Sequence, residues 1–334
     1  MWKMSAGTAC VVGNKYLKTD VLPTTAYIML GKRCRNNCRF CSQSRDSSAR
    51  TDMLSRVTWP EVPAQEAAEV IGRAFRDGRL KRACLQVVKG SESWQASVDA
   101  LAALTRESAV PVCVSSAIET VEQAQVLVDQ GADRICIALD AATAELYKEV
   151  KGGNFEKRRE LLYQCAAELP GRVSTHLIAG LGETEEEIIT AIADCLDKGI
   201  GVGLFAFTPV RGTAWADKEP PDIGQYRRIQ IAHFLLKKGL SRGDFTYQDG
   251  TLIAISLPDK ELGLLLADGK AFETSGCPDC NRPYYNERPG GIMYNYPRAL
   301  THIETKQAMM QSGLCQGEGS FDITGNENRQ EPAS

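Results

Sequence analysis

AYIMLGKRCRNNCRFC, residues 26–41, runs from an apolar stretch straight into a loop holding three cysteines, Cys34, Cys38 and Cys41. The run Ala26–Leu30 reads as a buried strand of a parallel sheet, whose strands carry near-continuous apolar sequence. A loop that leaves such a strand directly stands at the rim where barrel active sites are built. Structural zinc sites close with four ligands, and no fourth cysteine lies near these three. Three thiolates suit a centre with one coordination position left open, and thiolates are the usual protein ligands of iron–sulfur clusters. A zinc knuckle, or plain loop cysteines, is the alternative reading of the spacing.

Working outward, short apolar runs alternate with longer helical patterns, the mark of βα units around a parallel sheet. The strands expected are 26–30, 83–88, 110–115, 134–139, 172–178 and 202–208. Amphipathic stretches such as VPAQEAAEVIGRAFRDG, SWQASVDALAALTRES and TVEQAQVLVDQG lie between them. TEEEIITAIADCLDKG has Thr184 as N-cap and acids in its first turn, which favours a helix start. The pattern predicts an α/β fold, a partial (βα)6 or full TIM-like barrel; a doubly wound open sheet shares the same local signals. A helix over 226–238 and a strand pair including TLIAISL follow, and from Cys277 onward the sequence reads as irregular. The expected division is an N-terminal extension 1–23, a barrel 24–255, a cysteine-bearing C-terminal extension 256–316 and a polar tail 317–334 without a core of its own.

Apolar residues make up 43% and charged residues 24% of the 334, an ordinary globular balance. A net charge of -3 gives no electrostatic footprint for nucleic acid or an anionic membrane. The N-terminal MWKMSAGTACVVGNKYLKTD has no continuous apolar core of a signal peptide, and no stretch reaches the roughly 18 apolar residues of a membrane span. A cytoplasmic protein is therefore expected, in which the twelve cysteines stay reduced, buried or bound to metal. Only three histidines occur, His176, His233 and His302, too few for a multi-histidine zinc enzyme.

Cys34-x3-Cys38-x2-Cys41, with Phe40 before the last cysteine, resembles the signature of the radical S-adenosylmethionine (SAM) superfamily. That resemblance implies a [4Fe-4S] cluster on the three cysteines, whose open iron chelates SAM and whose electron cleaves it to a 5′-deoxyadenosyl radical. From about 24 to 240 the chain is similar to the biotin synthase branch, through ACLQVV (83–88), VCVSSA (112–117), RICIALDAAT (134–143), STHLIAGLGETEEE (174–187) and FTPVRGT (207–213). By this resemblance Ile178, Gly180 and Glu183 belong to the stretch passing the adenine, where a bare backbone lets a ring approach. Asp140 falls where the family contacts the ribose, and Arg158 where it approaches the SAM carboxylate.

Biotin synthase holds an auxiliary cluster in its barrel. Cys84 and Cys113 match two of its cysteine positions, while Ser174 stands at the third and no matching arginine is found. Both cysteines lie in apolar strands and read as core residues, as do Cys136, Cys165 and Cys195. SGCPDCNRPYYNERPGGIMYNYPR differs, since Cys277-x2-Cys280 is a chelating pair. With Cys10 and Cys315 from the two extensions, it is expected to hold a second iron–sulfur cluster. Zinc, a redox dithiol or free thiols are the alternatives.

A barrel with such extensions resembles a biotin synthase-like set that works as two-component lipoyl synthases in archaea and some bacteria. The resemblance implies sulfur insertion into an octanoyl chain on a lipoyl carrier protein. It also implies a second radical SAM lipoyl synthase protein as partner and an electron donor such as ferredoxin or flavodoxin. SAM and the second cluster should flank one apolar channel at the C-terminal face, walled by Tyr284, Tyr285, Tyr294 and Tyr296. A small-molecule radical SAM enzyme and a nonenzymatic zinc-bearing module are the rivals.

Overall fold

A computed structural model of the chain describes residues 1–287 and 290–314. Its strands are β1 (Trp2–Met4), β2 (Thr25–Leu30), β3 (Met53–Leu54), β4 (Val57–Thr58), β5 (Glu61–Val62), β6 (Arg82–Val87), β7 (Val112–Ser115), β8 (Ala132–Cys136), β9 (Val173–Ala179), β10 (Gly201–Ala206), β11 (Phe245–Gln248) and β12 (Thr251–Ile255). The helices are α1 (Ala6–Val11), α2 (Ala64–Arg76), α3 (Ser93–Glu107), α4 (Val121–Asp129), α5 (Ala144–Val150), α6 (Phe155–Glu168), α7 (Glu185–Asp197), α8 (Ile223–Lys237), α9 (Asp259–Leu266) and α10 (His302–Ser312).

The large sheet has the order β10-β9-β8-β7-β6-β2-β1-β5. From β2 to β10 the strands pair in parallel and in chain order. A doubly wound sheet reverses its strand order at a switch point; this one does not, so it winds one way as a barrel does. Among the described residues β10 makes no ladder to β2, which gives the six-stranded partial barrel and not the full TIM-like one.

Register decides what each strand presents. Ala26, Ile28 and Leu30 with Ala83 and Leu85 pack under the helices in the main core. Successive residues of a strand point to opposite faces, so the alternate set fills the barrel. Tyr27 stands opposite Cys84, Cys84 opposite Cys113, Cys113 opposite Arg134, and His176 opposite Gly203. Cys136, at the end of the ladder opposite Ser115, lies 3.4 Å from His176 Nε2. Cys84 and Cys113 therefore face inward, against the expectation that they are ordinary core cysteines, while Cys165 and Cys195 do sit in the outer core.

Two expectations about the extensions need correction. The N-terminus is part of the sheet, because β1 pairs antiparallel with β2 and with β5. The region after Cys277 is not wholly irregular: α10 starts at the Thr301 capping box and packs Ala308 and Met309 into a second core with Ile231, Leu235, Phe245, Leu252, Leu262 and Phe272. Cys315 and the tail 317–334 lie outside the described residues.

The free edge of β10 would leave backbone groups without partners, a costly arrangement when buried. The C-terminal segment takes their place. Ser275 Oγ accepts from Leu204 N at 3.0 Å, Arg282 Nη2 donates to Leu204 O at 3.3 Å, and Asn286 Nδ2 donates to Ala206 O at 2.9 Å. At the other side of the gap, Asn281 Oδ1 accepts from Thr24 N at 3.0 Å, and Arg282 N donates to Tyr27 Oη at 3.1 Å. The segment thus bridges β10 to β2.

Thr184 caps α7 as expected, its hydroxyl accepting from Glu187 N while Glu187 returns a bond to Thr184 N. Thr184→Ala should lower unfolding stability by about 1 kcal/mol and Thr184→Ser by much less. An alanine variant with an unchanged urea midpoint would contradict this.

Candidate functional site

The loop after β2 folds on itself through backbone bonds. Cys34 N donates to Gln43 O at 2.9 Å, Cys41 N to Cys38 O at 3.2 Å, and Arg45 N to Asn36 O at 2.9 Å. Gln43 Nε2 reaches Met53 O at 2.6 Å, and Arg33 Nη1 reaches Ser42 O at 3.1 Å, holding the loop from behind. Gly212 carries φ +88, and a Cβ there would stand 2.6 Å from Ala49 N; only glycine lets the 207–213 segment seat against this loop.

Cys34, Cys38 and Cys41 all line one cavity of about 300 Å³ at the C-terminal rim, together with Gln86, Asp140, Lys151, Arg158 and His176. Burial pushes the Cys38 thiol up to about 12 and the Cys41 thiol up to about 11. They must lose their protons on ligating iron, so cluster assembly here releases protons. Three soft donors from one loop, at a cavity rather than in the core, fit the donor set of an open iron–sulfur centre. Among the described residues no three His, Cys, Asp or Glu side chains converge closely enough for a single metal ion. A cluster spreads its ligands over several irons and asks for wider spacing.

Asp140 has φ +66, a conformation uncommon outside glycine and tolerated by aspartate. Its Oδ2 lies 2.6 Å from Lys151 Nζ, which also donates to Ala138 O at 2.9 Å and Leu139 O at 3.2 Å. Burial alone would lower the Lys151 pKa, but the Asp140 charge beside it raises it. Lys151 escaped sequence reading, because nothing in KEVKGG distinguishes it from surface lysines. Arg158 is half-buried, with its guanidinium on Ile118 O at 2.6 Å and Ser116 O at 3.5 Å. No carboxylate among the described residues forms an ion pair with it, so the cavity wall carries a cation able to meet an anionic ligand group.

The GLGE turn works differently from what was expected. Glu183 accepts from Gly180 N at 2.6 Å, Leu181 N at 3.0 Å and Gly182 N at 3.1 Å. Its carboxylate is buried inside the turn, and it lines neither the cysteine-loop cavity nor its neighbour. Gly180 is required by φ +95 and by Pro221, whose Cδ would sit 2.7 Å from a Cβ. Ile178 and Phe40 do face a cavity, an adjoining one of about 150 Å³ that also includes Cys41, Asp140, His176, Phe205 and Tyr285.

A second group of thiols meets inside the barrel. Cys84, Cys113, Cys277 and Cys280 line one small cavity with Arg82, His176 and Arg282. Cys84 and Cys113 stand opposite each other across the β6–β7 ladder. The neighbouring Cys113 thiol, with Arg82, Arg134 and Arg282 nearby, holds Cys277 down at about 6, while Cys113 itself is pushed well up. Cys280 Sγ lies 3.2 Å from Tyr27 Oη. Cys10, on α1, does not line this cavity; α1 starts along the edge of β2, where Ser5 N donates to Tyr27 O at 3.0 Å and Tyr27 N to Thr8 Oγ1 at 2.9 Å. Of the four tyrosines, Tyr285 and Tyr284 border a groove of about 800 Å³ between residues 17–23 and 282–287. Tyr294 and Tyr296 are packing residues, with Tyr294 Oη bonded to Pro221 O at 2.8 Å and Tyr296 in the second core.

Among the described residues no helix is long and apolar enough to cross a membrane. The family described as the radical SAM superfamily matches residues 28–195. A lipoyl synthase of Actinobacillus pleuropneumoniae is 27% identical over 186 residues, 53% of this chain and 53% of that protein. A biotin synthase of Syntrophus aciditrophicus is 27% identical over 240 residues, 68% of this chain and 71% of that protein. The chain spans about half the length of the lipoyl synthases it matches. The FeFe-hydrogenase maturase HydG from Carboxydothermus hydrogenoformans superposes with a TM-score of 0.53 at 16% identity, over 87% of this chain and 66% of that one, which shows the barrel fold.

His176 joins the rim cavity to the thiol cavity. Burial holds its imidazole down at about 4, with Arg282 and Lys151 adding to the effect and Asp140 opposing it. The unfolded chain takes up this proton near pH 6.5 and the folded chain does not, so stability must fall as pH drops from about 6.5 towards 4. His176→Gln should make that decline shallower in urea titrations. An unchanged slope would contradict it.

Proposed function

The chain belongs to the radical SAM superfamily, and from that premise we propose that it inserts sulfur into an octanoyl chain on a lipoyl carrier protein, as one member of a two-protein lipoyl synthase. The observation that carries the reading is the meeting of two cysteine groups across one wall: Gln86 and His176 border both the Cys34/Cys38/Cys41 cavity and the thiol cavity behind it. A hydrogen-abstracting centre and a sulfur source must stand this close, because an alkyl radical attacks what is next to it.

When bound at Cys34, Cys38 and Cys41, a [4Fe-4S] cluster supplies the electron for reductive cleavage of SAM. The chain's own residues hold and screen the nucleotide. Arg158 offers a guanidinium for its carboxylate. Asp140 is fixed by Lys151 through Oδ2, which leaves Oδ1 for ribose hydroxyls. Phe40 and Ile178, with Phe205 and Phe207 in the adjoining cavity, keep water from the reacting carbon, as a site for unquenched hydrogen abstraction requires. The groove bordered by Tyr284 and Tyr285 admits the acyl arm towards that cavity.

The similarity to biotin synthase favours a small-molecule substrate as the second reading. An octanoylated lipoyl-domain peptide should stimulate SAM cleavage by the anaerobic, reduced protein at least tenfold, with the partner protein present, and dethiobiotin should not. Stimulation by dethiobiotin alone would favour the second reading. Arg158→Met should raise the SAM concentration for half-saturation tenfold or more; an unchanged value would remove Arg158 from the site.

A further inference from the structure

We propose that the last turn of α5 is a joint that sets the cysteine loop and the Asp140 carboxylate in one frame, with Arg39 and Lys151 as its positioning residues. The inference rests on the SAM pocket of the reading above and not on its sulfur chemistry.

The first half of the joint follows from the carbonyls of a helix end. The last four C=O groups of a helix have no partners within it, and in α5 these belong to Tyr147, Lys148, Glu149 and Val150. Lys151 N turns back to Tyr147 O at 2.8 Å, and Gly152 N, at φ +69, to Lys148 O at 3.2 Å. Glu149 O and Val150 O are left over. Arg39 takes both, its Nε donating to Glu149 O at 2.9 Å and its backbone N to Val150 O at 2.8 Å. The helix dipole also favours a cation at this end. Because Arg39 stands between Cys38 and Cys41, the cysteine loop itself caps α5. Seven residues are too few for a helix to stand alone, so α5 takes its position from what its ends hold.

Lys151 makes the second half. An ammonium has three protons to donate, and here they go to Ala138 O, Leu139 O and Asp140 Oδ2. The Lys151 side chain is 9% exposed and that of Asp140 14%, so water competes little for the pair. The Asp140 backbone is pinned to β9, its N donating to His176 O at 2.8 Å and its O accepting from Ile178 N at 2.8 Å. That fixes the left-handed φ of +66 and leaves the direction of the carboxylate to Lys151.

SAM held at both ends needs a constant spacing between its two attachments. The loop leaves β2 and Asp140 follows β8, with β6 and β7 lying between those strands. The turn of α5 spans the distance directly, since Val150 and Lys151 are adjacent and each holds one attachment. Arg39 lines neither rim cavity, so what it does to the nucleotide must pass through α5.

The test compares the full chain with Arg39→Ala, Lys151→Met, Asp140→Asn and the pair Lys151→Met with Asp140→Asn. The pair removes the buried carboxylate that Lys151→Met alone leaves without its cation. Without iron, hydrogen exchange of residues 34–45 should quicken about tenfold in both variants lacking Lys151 and about threefold in Arg39→Ala, with Asp140→Asn and the protection of α7 unchanged. With iron and sulfide restored, the SAM concentration for half-saturation should rise about tenfold in Lys151→Met and about threefold in Arg39→Ala. The pair should bind SAM about threefold more weakly than Asp140→Asn alone. A pair that binds SAM as Asp140→Asn does would confine Lys151 to its carboxylate and overturn the joint, as would loop exchange that Lys151→Met leaves unchanged. Should α7 loosen together with the loop, Arg39→Ala decides, since its side chain is exposed: an unchanged value in either measurement overturns the proposal. The exchange arm needs no SAM, so the joint can fail while the SAM reading stands. A wild-type protein that ignores SAM, with exchange as expected, counts against that reading alone.

Discussion

An unclosed parallel sheet sets the terms for everything else in this molecule. Six strands wound in one direction leave β10 paired with β9 alone among the described residues, its other edge without a ladder, and buried backbone groups at such an edge need hydrogen bonds from elsewhere. Residues 275–286 supply them to Leu204 and Ala206. The same residues carry Cys277, Cys280 and Arg282 into the barrel. Closing the edge and furnishing the interior are one structural act.

The interior is chemically layered as a consequence. At the C-terminal rim, the cysteine loop faces Arg158 and the Asp140–Lys151 pair. Deeper down, thiols and arginines face one another, with Gln86 and His176 between the two levels. A neutral His176 suits that partition, since burial keeps its ring uncharged and adds no cation beside the arginines. The outer faces of the same strands are ordinary apolar packing against helices, so the polar residues are confined to where chemistry can use them.

Much of this was legible in the sequence. The three-cysteine loop, six parallel strands and the Thr184 helix start follow from short-range patterns: apolar runs, amphipathic spacing, a capping residue. Period-two alternation could have placed Cys84 and Cys113 on the inward face, but an apolar strand buried on both sides hides the distinction, and these two read as core. The Glu183 carboxylate was read as ligand-facing because a motif shows which residues occur together and not where a side chain turns; here it turns into its own backbone. Lys151 and the encounter of Cys277 with Cys113 were out of reach altogether, since each depends on tertiary contacts between segments far apart in the chain. The N-terminal strand was missed for a related reason, being three residues long and specified by its pairing with β2.

The central claim is that the loop after β2 holds a cluster with one open iron for SAM. Electron paramagnetic resonance of the dithionite-reduced, anaerobic protein tests it most directly. The account predicts that adding SAM changes the g values and line shape of a [4Fe-4S]⁺ signal, and that this signal is lost when Cys34, Cys38 and Cys41 are replaced. A spectrum indifferent to SAM, or one unchanged by those replacements, would contradict it.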